Sequence, residues 1–374
     1  MAGASSTPPN SLNYASFGVN PVVEAARIEG QVTTAVFPKY ETFDQGIDMK
    51  TDDDEGHTGT DILLLGKDRT EASAAPSFKD KIRLGEGFED LAFMLLGKHD
   101  EVVAAVVGAT TAKKWVIYRD VSDPEDLAWC TILQGFNWDT ATAEAYVEAM
   151  VNTLEMTFDA NASPTYKADF VSDFPLYNQN EPTLTYPSTE HRFKTGQTSI
   201  YLAPVGTAES TIITGSTYLA DCYTNASLTL SNNMETSICG GVTFGQSNKD
   251  QKPFTGKGKI KMDYNSGNMN LEAEWATGST SGTTPTQDSL FKAMVIKVTG
   301  KLIETVSGTP NMPVYMDLQI FLPKVEIIKP TSPRSGKDKK TVEYDYEVVN
   351  YGTTDPVTMT IITPLAAIHY GTAV

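Results

Sequence analysis

Apolar and polar residues alternate with a period of two along most of this chain, which is the mark of strands with one buried face. Residues 342–348 are the clearest case, placing Val342, Tyr344, Tyr346 and Val348 on one face. Gly, Pro, Asn and Ser punctuate these runs at short intervals, as an all-β sandwich or barrel requires. One stretch breaks the rule. Phe88, Leu91, Ala92, Leu95 and Leu96 recur at helical spacing, with acidic residues ahead of them and Gly97 placed to stop a helix. Residues 268–275 read both ways: they alternate like a strand, yet Leu271 and Trp275 sit at i and i+4.

The pattern is written twice. Residues 46–51 find a counterpart in 226–231, and the basic alternating segment 79–84 in 257–262. Near the end of each copy, Leu154-Glu155-Met156-Thr157 matches Val325-Glu326-Ile327-Ile328. The offset stays near 170–180 residues, far above the periods of solenoid repeats. The fold class expected is mainly β: two tandem β-sandwich or barrel domains, each with a flanking helix or helix-like segment. Residues 1–13 read as a flexible arm, 14–185 as the first domain and 186–374 as the second. Their junction falls near residues 178–196, a segment with two prolines.

Charge sharpens this picture. Asp and Glu number 47 against 29 Lys and Arg, a net charge of −18. A protein that grips nucleic acid needs the opposite balance, because binding follows phosphate neutralisation. No apolar run approaches the roughly 20 residues of a membrane-spanning helix. Cys130, Cys222 and Cys239 form no CxxC pair and read as thiols of a reducing site of folding.

Each candidate for catalysis or metal binding weakens on inspection. In the acidic segment 52–59, an EF-hand register places Thr51, Asp53 and Glu55 at ligand positions but Ile62 where a bidentate Glu is needed. Gly256-Lys257-Gly258-Lys259 lacks the spacing and the Ser or Thr of a phosphate loop. His57, His99, His191 and His369 are scattered, and no GxSxG elbow occurs. The chain reads as a non-enzyme without a cofactor.

Three segments resemble the tail tube proteins of long-tailed bacteriophages. They are the opening from Tyr14 to Glu24, the basic strand running into a helix from Lys79 to Gly97, and the strand from Tyr223 to Asn233. The resemblance implies a β-sandwich or barrel subunit whose rings stack into a hollow conduit for the genome. It further implies a variant carrying the tube domain twice, so that three chains close a pseudo-hexameric ring. The ambiguous helix of the second copy departs from the family pattern. The partners implied are further copies of the chain, a tape measure protein in the lumen, and tail terminator and distal tail proteins at the ends. DNA would pass through without specific binding. The location implied is the virion tail, assembled in host cytoplasm without membrane insertion. The inner tube of a contractile injection system shares these features, and an extracellular β-sandwich fibre or adhesin is a more distant alternative.

For assembly contacts, the expected residues are Asp52, Asp53, Asp54 and Glu55, with the basic strands carrying Lys79, Lys81, Arg83, Lys257, Lys259 and Lys261. Residues 51–76 and 231–255 read as long loops joining rings or neighbouring subunits. The lysine rows are expected to meet acidic partners on the next subunit, and the bore to be lined by acidic and small polar side chains.

Overall fold

A computed structural model describes residues 13–20, 34–36, 42–54, 66–85, 87–100, 102–121, 127–136, 143–172, 176–179, 183–185, 192–215, 220, 223–238, 247–250, 252–263, 266–308, 310–331 and 341–364. The protein is mainly β.

In the first half, strands β1 (Asn13–Asn20), β2 (Thr34–Val36), β3 (Thr42–Asp44), β4 (Ile47–Asp54), β5 (Gly66–Ala74) and β6 (Ser77–Lys81) lead into helix α1 (Phe88–Leu96). There follow β7 (Gly97–His99), β8 (Val103–Ala104), β9 (Lys113–Arg119), β10 (Trp129–Phe136), β11 (Ala143–Asp159), β12 (Thr165–Val171), β13 (Leu176–Gln179) and β14 (Thr183–Thr185). The second half holds β15 (Thr198–Ala203), α2 (Glu209–Thr214), β16 (Tyr223–Ser231), β17 (Glu235–Ile238), β18 (Ser247–Asp250) and β19 (Thr255–Asp263). It ends with α3 (Ser266–Thr277), β20 (Leu290–Val306), β21 (Met312–Thr331), β22 (Thr341–Val348) and β23 (Thr358–Thr363).

The helix expected near residue 88 is α1. Its apolar positions Phe88, Leu91, Ala92, Leu95 and Leu96 are all buried. Gly97, at φ 96°, ends it by turning its own N–H back to the Phe93 carbonyl, a left-handed geometry that glycine adopts without strain. The ambiguous segment 268–275 is also helical and lies inside α3.

Antiparallel pairing gives the two halves one strand order. The first runs β3–β6–β12–β11–β10–β1. The second runs β16–β19–β22–β21–β20–β15. The ladders also fix which residues correspond. With Lys79 set on Lys257, the cross-strand pairs carry Lys167 onto Glu347 and Glu155 onto Glu326. Leu154–Thr157 therefore matches 325–328, as the sequence repeat implies. The match of 46–51 with 226–231 is different: the ladder equates Thr42, Phe43 and Asp44 with Thr229, Leu230 and Ser231 instead.

The two long loops expected at 51–76 and 231–255 are hairpins in large part. Residues 51–54 continue β4, which pairs with β5, and β17 pairs with β18. Pairing within each hairpin satisfies the backbone donors and acceptors that a bare loop would leave to water.

Among the described residues two strand pairings join the halves. β16 pairs with β11 through seven residues, from Thr153↔Ser231 to Asp159↔Asn225, and β23 pairs with β9. Side chains follow the backbone: Phe78, Leu91 and Leu154 share one buried cluster with Leu228, Ile320 and Tyr344. At the β11–β16 seam the buried Asn232 side-chain amide donates to the carbonyls of Leu95 and Val151, at 3.0 and 3.1 Å.

A second clamp spans the halves at the far end of the β20–β21 hairpin. There the Glu304 carboxylate accepts the backbone N–H groups of Ala112 (2.6 Å), Thr111 (2.9 Å) and Thr110 (3.3 Å), and the Thr110 hydroxyl (3.1 Å). These bonds, the one from Ala112 foremost, hold its pKa below the ordinary 4.5. A depressed carboxylate pKa gives stability that is full above the ordinary value and fades as pH falls through the depressed one. The stability gap between the wild-type chain and Glu304→Gln is therefore expected to narrow as pH drops from neutral to below 4.5. Thermal unfolding of both across that range measures it, and a gap that does not change with pH would remove the clamp.

Candidate functional surface

The two halves share one continuous run of eight strands, β3–β6–β12–β11–β16–β19–β22–β21. Because side chains alternate across a pleated sheet, one register row faces the core and the next faces out. One inward row reads Asp80, Tyr166, Met156, Leu228, Gly258, Tyr346, Ile327. Apart from the Asp80 carboxyl it is apolar or aromatic, and its side chains are buried. The adjacent outward row reads Thr42, Lys79, Lys167, Glu155, Thr229, Lys257, Glu347, Glu326. The next outward row holds Lys81, Thr165, Thr157, Ser227, Lys259 and Asp345. None of these outward residues is buried.

The outward face is a mixed-charge surface. Among the residues whose side chains are described, its rows carry the lysines Lys79, Lys81, Lys167, Lys257, Lys259 and Lys261 and the carboxylates Asp44, Glu155, Asp159, Asp169, Asp263, Glu326, Glu343, Asp345 and Glu347. The two sets largely offset each other, so most of the chain's negative excess, −18 in all, lies elsewhere.

Among the described residues, three ion pairs of this face lie between β19 and β22. Lys257, Lys259 and Lys261 stand opposite Glu347, Asp345 and Glu343. Lys257 Nζ lies 3.2 Å from Glu347, and Lys259 Nζ lies 3.0 Å from Glu343 and 3.3 Å from Asp345. Hydrogen bonds to Glu343 and Asp345 raise the Lys259 pKa. In the first half, Lys167 meets Asp169 on its own strand at 2.8 Å. Exposed pairs of this kind add little stability. Their consequence is electrostatic: a lysine facing a carboxylate presents less net charge to a passing polyanion.

Behind the ladder, Gly258 makes room for the Tyr346 ring, whose buried hydroxyl donates to the Ser227 carbonyl at 2.9 Å. A Cβ at Gly258 would stand 2.2 Å from that carbonyl oxygen and 2.3 Å from the tyrosine oxygen. The two glycines in Gly256-Lys257-Gly258-Lys259 thus serve close packing beneath a lysine row.

Of the sequence-derived contact residues, five come together on this face: Lys79, Lys81, Lys257, Lys259 and Lys261. Lys257 and Lys259 meet acidic groups of their own chain, where partners on another subunit were expected. Arg83 does not continue the row; its Nε binds the buried Asp80 carboxylate at 3.1 Å. Asp52, Asp53 and Asp54 lie in β4, register-paired with Asp68, Lys67 and Gly66 in a two-stranded sheet of their own. Glu55 lies outside the described residues. Sequence reasoning missed Glu343, Asp345 and Glu347 as partners, although the signal was present. Two period-two segments carry opposite charges at their polar positions, and such segments suit cross-strand pairing.

No protein-family model matches this chain, and no curated protein matches it. Among the described residues no group of three or more His, Cys, Asp or Glu could hold a metal ion, and no helix is long and apolar enough to cross a membrane.

Proposed function

We propose that this chain is the structural subunit of a tube, three copies closing a ring of six similar halves, and that the ring stack conducts a viral genome. The observation that carries the reading is the β11–β16 seam. It joins the first-strand edge of one half to the long strand of the other, head to tail. A head-to-tail contact between similar units leaves an unmatched surface of each kind at its two ends. Here those ends are β3, the register counterpart of β16, and β21, the counterpart of β11. In β21 the start of β20 already pairs Val325–Ile327 on the side that β16 fills in β11, so joining the β3 of one chain to the β21 of the next would repeat the internal seam once that end of β20 gives way.

The dimensions suit a conduit. Three chains would supply twenty-four strands to an inner wall. At about 4.8 Å between strands and a tilt of about 40°, such a barrel is roughly 48 Å across between backbones. Turned inward, the outward face described above would give a bore of threonine, serine and neutralised lysines. That surface offers a duplex few uncompensated cations to hold it. The likeness to phage tail tube proteins supports the same reading, with a virion tail as the location and a tape measure protein and end-capping proteins as partners.

Negative-stain images of the purified protein are expected to show hollow rings or tubes with pseudo-sixfold end views and three chains per ring by mass. Six chains per ring, or solid fibres, would overturn it.

A further inference from the structure

β20 runs further along its partner than its counterpart does. In the first half β10 pairs no further along β11 than Cys130↔Ala149, which leaves residues 153–159 to β16. In the second half β20 stands for β10, and its start passes that limit: Lys292, Phe291 and Leu290 pair with Val325, Glu326 and Ile327. These three are the register counterparts of Leu154, Glu155 and Met156, which β16 holds at the seam. A register shift between Lys292 and Met294 divides this start from the rest of β20. Residues 278–289, rich in Gly, Ser and Thr and mostly exposed, lead into it.

The start of β20 fits this polar face less well than β16 fits the seam. Phe291 stands opposite Glu326, where the seam sets Thr229 opposite Glu155. Lys324 Nζ lies 4.2 Å from the centre of the Phe291 ring. The ladder that equates β3 with β16 would set Thr42 opposite Glu326, Phe43 opposite Val325 and Asp44 opposite Lys324. The last pair brings opposite charges together where the seam has the hydroxyls of Thr153 and Ser231, 3.3 Å apart. Asp44 is exposed.

We propose that the start of β20 is a guard on the assembly edge, and that the β3 of a second copy of this chain displaces it. This rests on the ring reading above. The two strands compete for Val325 and Glu326, whose other side β22 holds. In the exchange Lys324 gives up the Phe291 ring for the Asp44 carboxylate, and Glu326 gives up a phenylalanine opposite it for a threonine. A bare strand edge pairs with whatever strand it meets, and proteins cover such edges. A three-residue cover, divided from its own strand by a register shift, protects the free chain and gives way to a strand of better fit. The body of β20, from Met294 on, keeps its pairing with β21 throughout.

Two double variants test it: Phe291→Cys with Glu326→Cys, and Lys292→Cys with Val325→Cys. Neighbouring pairs of an antiparallel ladder alternate between wide and close kinds, so one of the two brings its sulfurs within disulfide reach. Oxidised, that variant should form no tubes in negative stain; reduced, it should form them as the unaltered chain does. Equal assembly in both states would overturn the guard and leave the ring reading standing. An unaltered chain that stays single would overturn both. Amide hydrogen exchange of the unaltered chain decides even if the variants do not fold. Residues 290–292 should be protected in free subunits and lose that protection in tubes, while residues 42–44 gain it. Residues 290–292 as protected in tubes as in free subunits would overturn the guard.

Discussion

A Gly258→Ala chain is expected to be the most damaged single-methyl variant of the shared sheet. The added carbon would lie 2.2 Å from the Ser227 carbonyl oxygen and 2.4 Å from the Tyr346 ring. Neither can move freely. The carbonyl belongs to β16 at the seam, and it accepts the Tyr346 hydroxyl. Overpacking of a fixed site costs typically about 1–3 kcal/mol, and backbone contact places this variant at or above the upper end. Gly256→Ala, two residues away on the same strand, is the control. Its nearest neighbours are side-chain atoms, a Val348 methyl at 2.6 Å, the Val348 Cβ at 3.0 Å and a Leu230 methyl at 3.1 Å; the methyls can rotate aside and no backbone atom is among them. Denaturant midpoints should fall for both, and much further for Gly258→Ala. Equal midpoints would mean that the seam gives way more easily than its hydrogen bonds imply.

Leu228→Ala is expected to cost about 2–5 kcal/mol, the range for a buried leucine that leaves a cavity. Leu228 is fully buried in β16, between Met156 of the first half and Gly258 of the second. Because core residues of both halves form one cluster, the loss should appear in a single unfolding transition. Against a total stability of about 5–15 kcal/mol this is a large share. Far-UV circular dichroism and tryptophan fluorescence should give one shared midpoint, displaced together. Two separable transitions, of which only one moves, would show that the halves fold on their own despite the seam.

What could be read from the residues follows from range. α1 was legible because its five apolar positions specify a face without reference to anything distant. The matches of Leu154–Thr157 with 325–328 and of 79–84 with 257–262 were legible for a similar reason. Both pairs keep charged or apolar residue types at most pleat positions, with Asp80 against Gly258 and Thr157 against Ile328 the exceptions. The match of 46–51 with 226–231 misled because alternation is common to every half-buried strand. Register is chosen by the partner, and β4 takes β5 while β16 takes β11 and β19. The type of α3 was open because, among its described side chains, only Leu271 is buried and the others are partly or fully exposed. The candidate surface was half visible. The lysine row of β19 stood out, whereas its carboxylate partners lie 82 to 90 residues downstream and meet it only through the ladder.

The β11–β16 seam also has a consequence for mass action. Its seven residue pairs form within one polypeptide, so dilution cannot separate them. In a ring of the proposed kind, every second junction would be covalently tethered at birth. Only three bodies would then have to meet, so the frequency of ring formation would rise with roughly the third power of concentration instead of the sixth. A tethered contact of this sort acts as though its partner were present at millimolar concentration. Doubling the unit thus trades a longer gene for a gentler threshold: closed rings could form from a sparse pool of subunits in which six separate pieces would rarely coincide.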